Sequence, residues 1–142
     1  MSNALPFLTE DDLRLIRSAG IRLHYSRGDA LARSGTPIDG MVVVWSGRVR
    51  FELNDRRGDA ALGVIDPVHV IGEGWLLGEE QHRLSVMAAE EVDANVIDGR
   101  LLREMVDASP VFAARLFRAL ASVLADRCVR LAETTAPPFG WE

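Results

Sequence analysis

Residues 28–49 read GDALARSGTPIDGMVVVWSGRV, and the alternation of turns and apolar runs in this stretch decides the fold class. Gly28-Asp29 is a turn and Ser34-Gly35-Thr36-Pro37 is a second, because Gly and Pro punctuate a chain strongly. Met41 to Trp45 is a continuous apolar run, consistent with a strand buried on both faces. After Gly47, the apolar residues Val49, Phe51 and Leu53 alternate with Arg48, Arg50 and Glu52, which is the pattern of a half-exposed strand. The same grammar extends outward. Upstream, Ile21, Leu23 and Tyr25 alternate with Arg22 and His24. Downstream, Asn54 to Asp59 makes a polar hairpin tip, and Leu62, Val64 and Ile65 belong to a strand stopped by Asp66-Pro67. Val68 to Ile71 leads into Gly72, and Leu84 to Ala89 and Val92 to Ile97 are the last two strands. Many short strands at close spacing predict a sandwich or barrel over about 21–97. Gly28, Gly35, Gly40, Gly47 and Gly58 read as turn residues, and Trp45 as core.

Helices flank this block. Thr9, followed by Glu10, Asp11 and Asp12, predicts a short helix over about 9–19, with Thr as cap, acids at the positive end of the helix dipole and Gly20 as its stop. A capping box proper would carry Glu or Gln where Asp12 stands. After residue 97 the apolar period changes. Asp98 caps a helix from about Gly99 to Asp107, and Ser109-Pro110 starts a longer one to about Leu131, about 33 Å at 1.5 Å per residue. Its apolar arc is wide, with Leu116, Leu120 and Val123 on one flank and Phe117, Leu124 and Leu131 on another, and Arg127 interrupts it. Pro137-Pro138 closes any continuation.

The chain has 142 residues, 48% hydrophobic and 26% charged, which suits one soluble domain with a core of its own. A net charge of -5 argues against non-specific DNA binding, which is driven by phosphate neutralisation. Cys128 is the single cysteine, so an internal disulfide is impossible and a reducing compartment fits best. Cys128 is expected to make a small apolar contact on its helix. The start lacks the basic and apolar regions of a signal peptide, and no apolar stretch is long enough to span a bilayer, so a cytoplasmic location and no membrane partner are expected. His24, His69 and His82 show no metal-ligand spacing, and His82 beside Glu79 and Glu80 reads as a solvated loop. No nucleophile, base and orienting group are assembled by motif; neither a metal, a cofactor nor an enzymatic activity is expected.

Two stretches carry a family resemblance. Gly28-Asp29-Ala30-Leu31, Gly35, Met41-Val42-Val43-Val44 and Gly47-Arg48-Val49 form the first, and Val70-Ile71-Gly72-Glu73 followed by Arg83-Leu84-Ser85-Val86-Met87-Ala88 the second. Together they resemble the cyclic-nucleotide-binding domain of the catabolite-activator (cAMP receptor protein) family, over residues 7–131 and without the DNA-binding domain that usually follows. The resemblance implies a mainly β fold, a double-stranded β-helix (jelly-roll-like β-roll) with flanking helices and a long C-terminal helix. It also implies a regulatory domain binding cAMP or another cyclic nucleotide, with Gly72, Glu73, Gly74, Arg83, Leu84 and Ser85 at the ligand. In that arrangement Arg83 holds the cyclic phosphate through its planar fork, Glu73 accepts from a ribose hydroxyl, and Gly72 lets the backbone approach the ligand. Amides following Glu73 point at the phosphate, and Ser85 donates its hydroxyl or packs. Family members commonly dimerise through the long helix, which implies a two-fold homodimer through Leu116, Phe117, Leu120, Val123 and Leu124, with Arg127 weakening the seam or pairing across it.

Three departures stand out. Leu84 occupies a position that in the family is Ser, Thr or Ala, Trp75 replaces a small residue, and Asp126-Arg127-Cys128 stands where the family's helix reaches a purine. Leu84 and Trp75 favour a second possibility, a ligand-free interaction and dimerisation module whose cassette is degenerate. A cupin-like metal enzyme is opposed by the missing histidine cluster. A DNA-binding regulator requires that the chain be part of a longer protein. The response to a ligand is expected to pass to a downstream partner protein or to the dimer interface.

Overall fold

The computed structural model describes residues 5–55, 58–65, 69–72, 76, 78 and 80–134. Helix α1 spans Glu10–Ala19 and is followed by strands β1 (Ile21–Tyr25), β2 (Ala30–Ala32), β3 (Gly40–Ser46), β4 (Val49–Asp55), β5 (Gly58–Ile65), β6 (His69–Ile71), β7 (Ser85–Ala88) and β8 (Val92–Asp98). Helices α2 (Gly99–Ala108) and α3 (Pro110–Thr134) close the described chain. The strands form two antiparallel four-stranded sheets, ordered β1-β8-β3-β6 and β2-β7-β4-β5. This is the expected β-roll with flanking helices.

The apolar run at 41–45 shows why the roll and the helices form one body. Side chains alternate across a strand. Met41 and Val43 join Ile16 of α1, Val70, Ile97, Leu102 of α2 and Phe112, Leu116, Ala119, Leu120 and Val123 of α3 in one core. Val42 and Val44 turn the other way and meet Val49, Phe51, Ile71, Val86, Ala88, Val92 and Ala94 in a second core inside the roll. The strand is buried on both faces as the unbroken run predicted, while β4 alternates buried Val49 and Phe51 with half-buried Arg50 and Glu52.

Several local expectations change. Residues 54, 55, 58 and 59 are paired strand rather than hairpin tip, since Asn54 faces Asp59 and Asp55 faces Gly58. Gly40 is not a turn residue: it opens β3, and a Cβ there would lie 2.3 Å from the carbonyl oxygen of Ile97. Gly20 ends α1 in extended backbone, not in a left-handed turn, and its missing side chain lets the chain lie against Val96 and Asn95. Trp45 is half-buried at the margin of the helix-facing core. Cys128 is exposed, so it makes no buried apolar contact.

Helix termini follow the capping logic closely. Thr9 Oγ1 accepts from the Asp12 amide at 3.1 Å and Asp12 Oδ2 accepts from the Thr9 amide at 3.0 Å, so the aspartate completes a reciprocal capping box. The same carboxylate accepts from Arg115 of α3, Nε at 2.6 Å and Nη2 at 2.9 Å. One buried aspartate therefore caps α1 and ties it to the long helix. Asp98 Oδ2 accepts from the Arg100 amide at 3.2 Å, and Ser109 Oγ from the Phe112 amide at 3.2 Å, ahead of Pro110. On the exposed edge, the ring nitrogens of His24 lie 2.9 Å from Glu91 and 3.1 Å from Asp93. Both nitrogens can donate only in the imidazolium, so these two carboxylates, Glu91 first, raise the His24 pKa above its ordinary 6.5.

Candidate functional site

Strand β6 runs into Gly72, whose φ of +84° is left-handed. A Cβ at Gly72 would lie 2.3 Å from the carbonyl oxygen of Gly40. The glycine is thus required by the close approach of β6 to β3, whatever a ligand requires of it. Glu73 and Gly74 lie outside the described residues, as does Trp75.

Arg83 sits two residues before the start of β7 and is exposed. It lines an open groove of about 820 Å³ together with Ser34, Gly35, Glu80, His82 and Leu84. The backbone there is pinned to the β2–β3 loop. Ser34 Oγ donates to the Arg83 carbonyl at 3.2 Å, the Gly35 amide to the His82 carbonyl at 2.8 Å, and the His82 amide to the Thr36 carbonyl at 2.9 Å. His82 is half-buried by this pairing. The guanidinium of Arg83 is therefore carried on a fixed backbone at a groove wall.

The two residues after it are half-buried and engaged with the roll. Leu84 packs against the apolar core inside the roll. Ser85 Oγ accepts from the Ser34 amide at 3.0 Å, which holds the loop to β7. Of the sequence-predicted ligand residues, the described part of the structure thus places Arg83 at a groove, Leu84 half-buried between that groove and the inner core, and Ser85 in a loop clamp.

Arg127 has a place that its position in the sequence concealed. Its guanidinium lies 4.9 Å from the ring centroid of Phe51, and Nη2 donates to the Val70 carbonyl. It does not interrupt the outer seam of α3; it points into the roll and clamps the long helix to the strand that leads to Gly72. The signal was available in the spacing, because Leu116, Leu120, Val123 and Arg127 recur at intervals of four, three and four on one helix face. Leu116, Leu120 and Val123 are buried in the chain's own core. Facing outward are Ala114, Phe117, Ala121, Leu124 and Cys128, also at alternating intervals of three and four; Leu124 is half-buried and the others exposed.

Among the described residues no group of three or more His, Cys, Asp or Glu side chains is placed to hold a metal ion. No helix among them is long and apolar enough to cross a membrane.

Comparison with known proteins is consistent with this architecture. A family model described as the cyclic nucleotide-binding domain matches residues 22–109. No curated protein matches the chain in sequence. Among solved structures, the N-terminal domain of a transcriptional regulator from Streptomyces coelicolor is 25% identical, with a TM-score of 0.70 and 95% of each chain covered. A cyclic nucleotide-binding domain from Methylobacillus flagellatus is 17% identical with a TM-score of 0.78, covering 89% of this chain and 71% of that one. The c-di-GMP-responsive global regulator CLP of Xanthomonas campestris is 16% identical with a TM-score of 0.78. The match covers 88% of this chain and spans 62% of the CLP chain.

Proposed function

The chain belongs to the cyclic nucleotide-binding domain family, and we propose that it is a regulatory, non-catalytic sensor of a small anionic ligand, a cyclic nucleotide being the first candidate. The observation that carries this is the Arg127 clamp: the long helix is bonded to the carbonyl of Val70, two residues before the glycine that opens the ligand cassette. A ligand drawn to Arg83 that shifts the cassette moves β6, and β6 moves α3. The shift is limited to the ligand's difference in affinity between the two helix positions. Arg83 suits an anionic ligand because a guanidinium donates two parallel hydrogen bonds to a phosphate.

Calorimetric titration with cAMP, cGMP and cyclic di-GMP tests this. Saturable binding of at least one is expected, weakened about tenfold or more in Arg83→Ala with the fold intact. Hydrogen exchange along α3 is expected to change on saturation. Silence with all three would sink the sensor function. It would favour a ligand-free interaction module, for which the half-buried Leu84 and the engaged Ser85 hydroxyl already speak.

The outward stripe of α3 supports a second copy of the chain as partner. Ala114, Phe117, Ala121, Leu124 and Cys128 have the alternating three- and four-residue spacing of a helix–helix seam, and Phe117 is 37% exposed. Leu116, Leu120 and Val123 are occupied by the chain's own core and act in the dimer only by supporting that seam. Sedimentation velocity is expected to find a dimer that Phe117→Glu converts to a monomer; a wild-type monomer at high micromolar concentration would remove the dimer.

A further inference from the structure

A second cleft, remote in sequence from the cassette, is lined by Arg17, Gly20, Arg22, Trp45 and Asn95, with a volume of about 450 Å³. That is the size of a metabolite site. Its floor is rigid. Asn95 is buried at 6% exposure, its Oδ1 accepts from Trp45 Nε1 at 2.5 Å, and its Nδ2 donates to the Arg17 carbonyl at 3.3 Å. The end of α1 is thereby locked to β8 and to the indole on β3. Gly20 leaves the floor without a side chain.

Two guanidinium groups stand on this floor. The Arg17 Cζ lies over the Trp45 ring, 4.4 Å from its centroid. A guanidinium stacked by its face keeps its in-plane N–H fork available to an oxyanion. Arg22 of β1 is paired in register with Asn95, so it projects on the same side of the sheet. The nearby Asp93 attracts Arg22 electrostatically but does not form an ion-pair contact with it. Asp93 is hydrogen-bonded by His24 at 3.1 Å and Ser46 at 3.3 Å, although the Arg22 charge helps hold its pKa low after those bonds. Among the described residues neither Arg17 nor Arg22 has a hydrogen-bonded carboxylate partner. Two such arginines flank one indole–amide floor.

We infer that this cleft is a binding site for an oxyanion, the phosphate or carboxylate of a metabolite-sized ligand, held between the forks of Arg17 and Arg22. The stacked Arg17 fixes its orientation and Arg22 completes the charge. The site is independent of the cassette arginine Arg83, which sits on the other sheet's approach at β7.

Titration of 15N-labelled full chain with inorganic phosphate and, separately, succinate tests the inference, with sodium chloride at matched ionic strength as control. A saturable shift of the Trp45 indole N–H resonance is expected with at least one anion and not with chloride. Arg17→Gln and Arg22→Gln are each expected to weaken it about tenfold or more, with the rest of the spectrum unchanged. Arg17→Lys, which keeps the charge and loses the fork, is expected to fall between. The stronger of the two anions identifies the ligand class. Arg83→Ala is expected to leave the shift unchanged, which separates this site from the cassette. No saturable shift with either anion, equal shifts with chloride, or loss in Arg83→Ala but not in Arg17→Gln and Arg22→Gln would overturn it.

Discussion

Replacing Asp12 by alanine is expected to lower the unfolding free energy by about 3 kcal/mol at neutral pH, the larger part of it from the lost tie between α1 and α3. The Asp12 side chain is 6% exposed and accepts from three donors, the Thr9 amide and two nitrogens of Arg115. Arg115 is 35% exposed, so on truncation it turns toward water, and the cost stays at the low end for a broken buried pair. The Arg115 hydrogen bond, with help from the Thr9 bonds, brings the Asp12 pKa down from 3.8 to about 2. A lowered pKa stabilises the folded state above the unfolded value. That contribution, about 2 kcal/mol, is full above pH 3.8 and vanishes as pH falls through about 2. Urea denaturation of wild type and Asp12→Ala across pH 2 to 7 checks both statements. The two curves are expected to converge in acid, and a stability difference that ignores pH would show that the ion pair does not carry it.

Gly72→Ala is expected to cost about 3 kcal/mol or more, because two independent penalties coincide at one backbone position. The left-handed φ of +84° is strained for any residue with a Cβ. That Cβ would also sit 2.3 Å from the carbonyl oxygen of Gly40, a backbone atom that cannot swing aside as a side chain does. Relief requires β6 to part from β3, which loosens the pairing of Ile71 with Val42 and of Val70 with Val43. Because Val70 also carries the Arg127 clamp, the variant is expected to loosen α3 as well. Thermal unfolding measures the first effect and hydrogen exchange in β6 and α3 the second. A variant as stable as wild type would show that the β3–β6 contact yields easily and that Gly72 serves something other than the fold.

The turns at Gly28 and Gly35, the double-faced run at 41–45 and the changed period after residue 97 were enough to read a sandwich or barrel with flanking helices, and the family resemblance made it a roll. Each is a local pattern whose cause is burial on one or two faces of a single element. Caps at Thr9, Asp98 and Ser109 were legible for the same reason, since donor and acceptor lie within three residues. Long-range partnership was not legible in this way. Arg127 sits on the inner stripe of α3, but whether a cation there faces a partner helix or a carbonyl 57 residues earlier depends on where β6 passes. Gly40 reads as a turn glycine and Gly72 as a ligand-approach glycine until their backbones are seen touching. Arg17, Arg22, Trp45 and Asn95 share no motif, because the α1 end and strands β1, β3 and β8 converge only when the sheet is assembled. The sequence by itself determined the elements, their order and the family, because hydrophobic period and turn chemistry act over a few neighbouring residues. Only the tertiary structure decided which arginines face a groove, a cleft or the core, because charge and hydrogen-bond partners are set by distance in space.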